Sequence, residues 1–165
     1  MIKSLSASFK MLADNIQWGA VEFISDAPGK NNQSPSFAAG GQSGSALSAL
    51  VEKAKSSILI QSPYLVLSDK ADALFRAAIK RGVNVTISTN SLASTDNLQA
   101  FSGYRNQREE ILKAGLNVFE YKPFPEIQHQ LLERYPRLKD NKPVFALHAK
   151  TMVIDSAVLY IGTYN

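Results

Sequence analysis

The chain has 165 residues, 45% of them hydrophobic and 19% charged, which is long and apolar enough to bury one ordinary core and excludes wholesale disorder. It has no cysteine, so disulfides and thiolate metal sites are excluded, and it shows neither an apolar run of signal-peptide length nor the ~18 consecutive apolar residues of a spanning helix. The balance of 18 Lys and Arg against 14 Asp and Glu, net +4 with a pI of about 9.3, leans toward phosphate-bearing partners or anionic lipid surfaces, and scattered solvated lysines give the same total.

Ile2, Leu5, Phe9, Leu12 and Ile16 recur at helical spacing, with Lys3, Lys10 and Asp14 on the other face, so residues 2–16 are expected to form an amphipathic helix. Its apolar stripe suits the protein's own core, and also a lipid surface. WGAVEFISD, residues 18–26, alternates Val21 and Phe23 with Glu22 and predicts a strand before the turn DAPGK. Residues 29–45, rich in Gly, Ser and Asn with Phe37 as the one large apolar anchor, predict a long loop. From there helices and strands alternate: helix 45–56, strand 57–62, helix 69–81, strand 83–89, helix 97–114 and strand 116–122, with Gly82 and Gly115 placed as left-handed helix stops. Strands separated by single helices imply right-handed crossovers and a largely parallel sheet covered on both faces, hence an α/β fold. Residues 123–143, with prolines at both ends, read as an irregular excursion holding a helical turn or two. VFALHAKTMVI, a turn at DSA and VLYIGT then read as two tightly joined antiparallel strands.

On an extended strand alternate side chains share a face, so His148 and Lys150 are expected to project together, with Met152 beyond them. An imidazole beside an ammonium suits attack on a phosphate: one supplies a nucleophile or proton shuttle, the other holds phosphoryl oxygens. Taken alone, a single histidine on a strand reads as a satisfied core residue. Asp155 either caps the turn or holds a lysine or histidine, and the Asn165 amide offers a further donor. Ser62 and Tyr64 follow the C-terminal end of a strand, where open α/β sheets place ligands; core packing of Tyr64 is the competing reading. Tyr104, Arg105 and Arg108 on the helix 97–114 read as an ordinary mixed-charge face.

The full spacing of the last eighteen residues, His148-x-Lys150, four residues, Asp155, six residues, Gly162-Thr163-x-Asn165, resembles the HxKxxxxDxxxxxxGSxN signature of the phospholipase D superfamily, with threonine where the family usually has serine. Upstream, SPY at 62–64 and TNSLASTD at 89–96 look like the second half of bacterial cardiolipin-synthase-like members, and the similarity covers most of residues 18–165. The resemblance implies an α/β fold whose mostly parallel mixed sheet is flanked by helices. It implies catalytic roles for His148, Lys150, Asp155 and Asn165, substrate contacts at Thr163, Ser62 and Tyr64, a covalent phosphohistidine, and no metal or other cofactor.

Such proteins carry two signature copies whose halves pack into one site, and this chain has one. The expectation is therefore a single domain over 1–165 that is the C-terminal half of a two-motif protein, incomplete after the motif, with the first-motif half missing and the isolated chain inactive and prone to self-association. The implied activity is phosphatidyl transfer that makes cardiolipin-type lipids from phosphatidylglycerol or a related lipid, with a phospholipid substrate and an anionic bacterial membrane surface as partners. Two competing readings stand beside it: a metal-independent nucleic-acid phosphodiesterase acting as a homodimer, and a non-catalytic binding module.

Overall fold

The computed structural model describes residues 10–16, 19–26, 41–133, 135, 137 and 143–163. Along the chain these form α1 (Gln42–Lys53), β1 (Ser57–Gln61), α2 (Asp69–Lys80), β2 (Asn84–Asn90), α3 (Leu98–Lys113), β3 (Asn117–Tyr121), a short α4 (Gln128–Glu133), β4 (Thr151–Ile154) and β5 (Val158–Ile161). Local chemistry sets the helix ends. The side chains of Ser68 and Asn97 accept the N–H groups of Ala71 and Ala100, at 3.3 and 3.0 Å, and so cap α2 and α3. Gly82 and Gly115 take the expected left-handed φ of 88° and 93°. The next residues, Val83 and Leu116, then turn their N–H groups back onto the carbonyls of Ala78 and Ile111, which closes both helices.

The five strands are ordered β3-β2-β1-β4-β5. β1–β2 and β2–β3 are parallel, whereas β1–β4 and β4–β5 are antiparallel, so the α/β sheet is mixed, with its parallel part confined to one side. Both crossovers, through α2 and α3, step in the same direction across the sheet, and right-handed connections then put both helices on one face. Ile58, Val85, Ile87, Met152 and Ile154 point to that face and are buried with Val51 of α1, Phe75 and Ala78 of α2, and Tyr104 and Ile111 of α3. Burial of each large side chain in this layer contributes about 1.5–3 kcal/mol. Leu59, Phe119 and Leu159, which point the other way, remain 46%, 62% and 61% exposed. Among the described residues α1, α2 and α3 form a single layer, so the covering of both faces expected from the sequence is seen there on one face only. Within it Tyr104 is a core residue whose hydroxyl donates to Glu120 at 2.9 Å, and burial, reinforced by that carboxylate, pushes its phenol up to about 12. Arg108 pairs with the same Glu120 at 3.2 Å.

The N-terminal expectations fare less well. Of the helix expected over 2–16, residues 10–14 are helical and residues 1–9 lie outside the described residues. Residues 19–26 join no strand ladder among the described residues, and Val21 and Phe23 stand 92% and 89% exposed, so alternation did not produce a strand there. The loop expected over 29–45 lies mostly outside the described residues, but its last turn belongs to α1. Asp26 accepts the Ser43 N–H at 3.1 Å, a cap supplied from 17 residues away that composition does not reveal. The strand expected over 144–154 is also shorter, because its ladder begins only at Thr151.

Candidate active site

The parallel strands end together at Gln61, Asn90 and Tyr121, and β4, running the other way, enters the sheet at the same edge with Thr151 opposite Gln61. The chain leaves β1 toward β2 and β3, then returns on the other side of β1 as β4. The β1/β4 boundary is thus the point where strand order reverses, the usual ligand position of an open α/β sheet. His148 and Lys150 stand just before β4, residues 62–64 just after β1, and Gly162 and Thr163 just after β5. Topology therefore brings the predicted His, Lys, Ser, Tyr and Thr to one edge; Thr163 is exposed there, and Asn165 lies outside the described residues.

Exposure grades along the signature strand. His148 is exposed, Lys150 is partly buried, and Met152 is in the core. Among the described residues no group hydrogen-bonds or ion-pairs with the His148 ring or the Lys150 ammonium, so both remain available to a ligand. The Lys150 carbonyl accepts the Gly162 N–H at 3.1 Å, which ties the two parts of the signature together. Gly162 stands close to the phenol of Tyr160: a Cβ there would meet the ring end, which would have to move aside.

Lys150 is among the residues that line an open groove of about 730 Å³ between α1, α2 and the helix-covered face of the sheet. Leu47, Val51, Leu67, Leu74, Phe75 and Met152 give the groove apolar walls, and Gln61, Ser62, Tyr64, Thr151 and Tyr160 also belong to its lining. Among the described residues its charged lining residues are Lys70 and Lys150, and none is a carboxylate. At the mouth the Tyr64 hydroxyl donates to Asp96 at 2.8 Å, and this bond holds the phenol above its ordinary value. The Ser62 hydroxyl donates to the Tyr64 carbonyl at 3.1 Å, which shapes the loop. Among the described residues no three His, Cys, Asp or Glu side chains converge as metal ligands would.

Asp155 is at the opposite end of β4 from this edge. Its carboxylate accepts the backbone N–H groups of Lys55, Ser56 and Ser57 at 2.9, 2.8 and 2.9 Å, together with the Ser56 hydroxyl at 2.9 Å. It sits in a tight turn with Ser156, both at left-handed φ of 51° and 54°, a conformation Asp tolerates better than most residues. Of the two readings of this residue, the geometry favours a clip that fastens the β4–β5 turn to the start of β1. The Ser57, Ser56 and Lys55 N–H groups hold its carboxyl well below the usual carboxylate range. A carboxyl depressed in the folded state contributes its full stability above the unfolded value of about 4 and loses it as pH falls further toward the folded value. Asp155→Asn is therefore expected to lower the melting temperature at neutral pH and to flatten the acid limb below pH ~4, with turnover per folded molecule kept within about threefold. Thermal melts across pH 2–7 beside activity assays check it; lost turnover at unchanged stability would return Asp155 to the chemistry.

Residues 47–165 match the family model described as cardiolipin synthase, PLD-like domain. The chain is 28% identical over 150 residues to a protein of unassigned function from Helicobacter pylori strain J99, covering 91% of this chain and 28% of that protein. It is 34% identical over 106 residues to cardiolipin synthase C of Escherichia coli K12, covering 64% of this chain and 22% of the synthase. The chain thus spans less than a third of the length of these relatives. In fold it is similar to Nuc, a phospholipase D family member from Salmonella typhimurium, with a TM-score of 0.51, 18% identity and coverage of 78% of this chain and 67% of that one. It is also similar to NucT from Helicobacter pylori, with a TM-score of 0.50, 17% identity and coverage of 73% and 65%. With more than half of its residues inside that family model, the chain belongs to the PLD-like domain family of the phospholipase D superfamily, whose members are phosphodiesterases and transferases.

Proposed function

We propose that the chain carries the second half of a phosphatidyl-transfer site acting on phosphatidylglycerol or a related phospholipid. In this reading an imidazole nitrogen of His148 attacks phosphorus, a P–N bond forms as the P–O bond to the leaving alcohol breaks, and the alkoxide takes a proton from a general acid. That acid comes from a first-motif half, elsewhere in the same protein. An acceptor alcohol, deprotonated by the same group, then attacks phosphorus and releases His148. The Lys150 ammonium offsets charge on the non-bridging oxygens, most strongly as it builds up in the transition state. Asn165 and Thr163 are further candidates for oxygen contacts, with Ser62 and Tyr64 at the acceptor side. Docking on an anionic bacterial membrane surface belongs to the same proposal, and it rests on the chain's net charge of +4.

The observation that carries the lipid reading is the groove. Apolar walls whose described lining includes Lys70 and Lys150 and no carboxylate suit a phosphodiester that brings hydrocarbon with it. A second reading, a nucleic-acid phosphodiesterase built from two copies, draws on the bare sheet face of Leu59, Phe119 and Leu159, which a second copy would bury. The product of the complete reading frame, assayed on phosphatidylglycerol vesicles and on single-stranded DNA, is expected to favour the lipid by about 100-fold or more in kcat/KM. DNA cleavage without lipid turnover would replace the first reading by the second, and turnover of neither would leave a binding module.

A further inference from the structure

The strand that carries His148 lacks a strand partner where it matters most. β4 pairs with β1 only as far as Thr151 opposite Gln61, because β1 ends there and the chain turns away through Pro63. Residues 143–150 belong to no ladder. Asn90, the last residue of β2, fills the vacancy with its side chain. Its Oδ1 accepts the Leu147 N–H at 2.8 Å, and its Nδ2 donates to the Leu147 carbonyl at 3.0 Å. This is the two-bond embrace that a residue of a neighbouring antiparallel strand would give. Nδ2 also donates to the Pro63 carbonyl at 3.3 Å, and the Ser94 hydroxyl lies 3.4 Å from Oδ1. Both Asn90 and Ser94 are 2% exposed. The Ser94 hydroxyl further accepts the Ser91 N–H at 2.9 Å and reaches the Tyr121 carbonyl at 3.2 Å, so the buried network joins the C-terminal ends of β1, β2 and β3.

We propose that Asn90 is a positioning residue that fixes His148 by holding the backbone of Leu147. The signature strand is then pinned on both sides of the histidine, by Asn90 at Leu147 and by Gly162 at the Lys150 carbonyl. A buried amide with its donors and acceptor committed has one orientation, and it cannot be swapped for a carboxylate or an alkyl group without leaving Leu147 unpaired. The consequence for chemistry rests on the phosphodiester-transfer reading, since misplacing a reacting group by about 1 Å costs on the order of 100-fold.

The test uses the product of the complete reading frame. In the unmodified protein the Leu147 amide is expected to exchange with solvent at least about 10-fold more slowly than the His148 amide, which has no acceptor among the described residues. Asn90→Leu, which keeps the volume without the hydrogen bonds, is expected to abolish that protection and to lower kcat by about 10- to 100-fold with KM within about threefold. Ser94→Ala, which leaves Asn90 in place, serves if the leucine variant does not fold, and is expected to weaken Leu147 protection and kcat in the same direction by about 3- to 10-fold. A Leu147 amide no better protected than that of His148, or a variant that loses the protection while turnover per folded molecule holds, overturns the proposal. Were His148→Ala itself to keep full turnover, the phosphodiester reading would fall, and the Leu147 clamp would stand or fall on the exchange result.

Discussion

Alanine in place of His148 is expected to abolish phosphodiester turnover in the product of the complete reading frame while leaving its stability unchanged. The two halves of that expectation have separate causes. The imidazole is exposed and has no partner among the described residues, so its removal opens no cavity and strands no buried polar group. Stability should therefore change by no more than about 0.5 kcal/mol. Turnover, in contrast, loses the group that forms the P–N bond in the proposed mechanism, and the chain's other imidazole, His129 in α4, has its ring bonded to the Glu126 carbonyl. Steady-state rates on phosphatidylglycerol beside a urea melt measure both. Retention of more than about a tenth of wild-type kcat, a barrier change under about 1.4 kcal/mol, would remove His148 from the nucleophile and acid–base roles.

What the sequence made legible and what it hid divide along contact distance. The alternation of apolar runs with helix-period segments located β1 to β3 and α1 to α3, because those signals are local, as are the stops at Gly82 and Gly115. The signature spacing brought His148, Lys150 and Gly162 to one edge for the same reason: a strand, a tight turn and a second strand lie within eighteen residues. Asp155 read ambiguously because its partners, residues 55–57, lie about a hundred positions upstream, and only the folded chain shows which groups its carboxylate holds. Asn90 has only a faint local mark in TNSLASTD, an asparagine that closes an otherwise buried strand and is followed four residues later by serine, since a buried amide needs hydrogen-bond partners. Its partner, Leu147, is 57 positions away. The exposed Val21 and Phe23 show the reverse failure: period-two alternation is necessary for a half-buried strand but does not supply one to pair with.

Methionine in place of Lys150 carries the second large effect. Methionine keeps the unbranched, apolar stem that lines the groove beside Met152 and Tyr160, and it leaves the backbone bond from Gly162 to the residue-150 carbonyl untouched, so the variant should fold. It removes one of the two lysines in the described lining of the groove, the one on the signature strand; Lys70, the other, is in the first turn of α2. The loss should fall mainly on the transition state, where charge on the non-bridging oxygens is greatest, and amounts to roughly 2.7–4 kcal/mol by analogy with a lost oxyanion donor, or about 100- to 1,000-fold in rate. Lys150→Arg restores the charge in a planar fork of different reach, and should recover part of the rate but not all of it. The measurement is kcat and KM for both variants, with rates normalised to folded protein. If the methionine variant melted lower while its rate per folded molecule held, Lys150 would be a structural side chain, and the groove's claim on a phosphate would go with it.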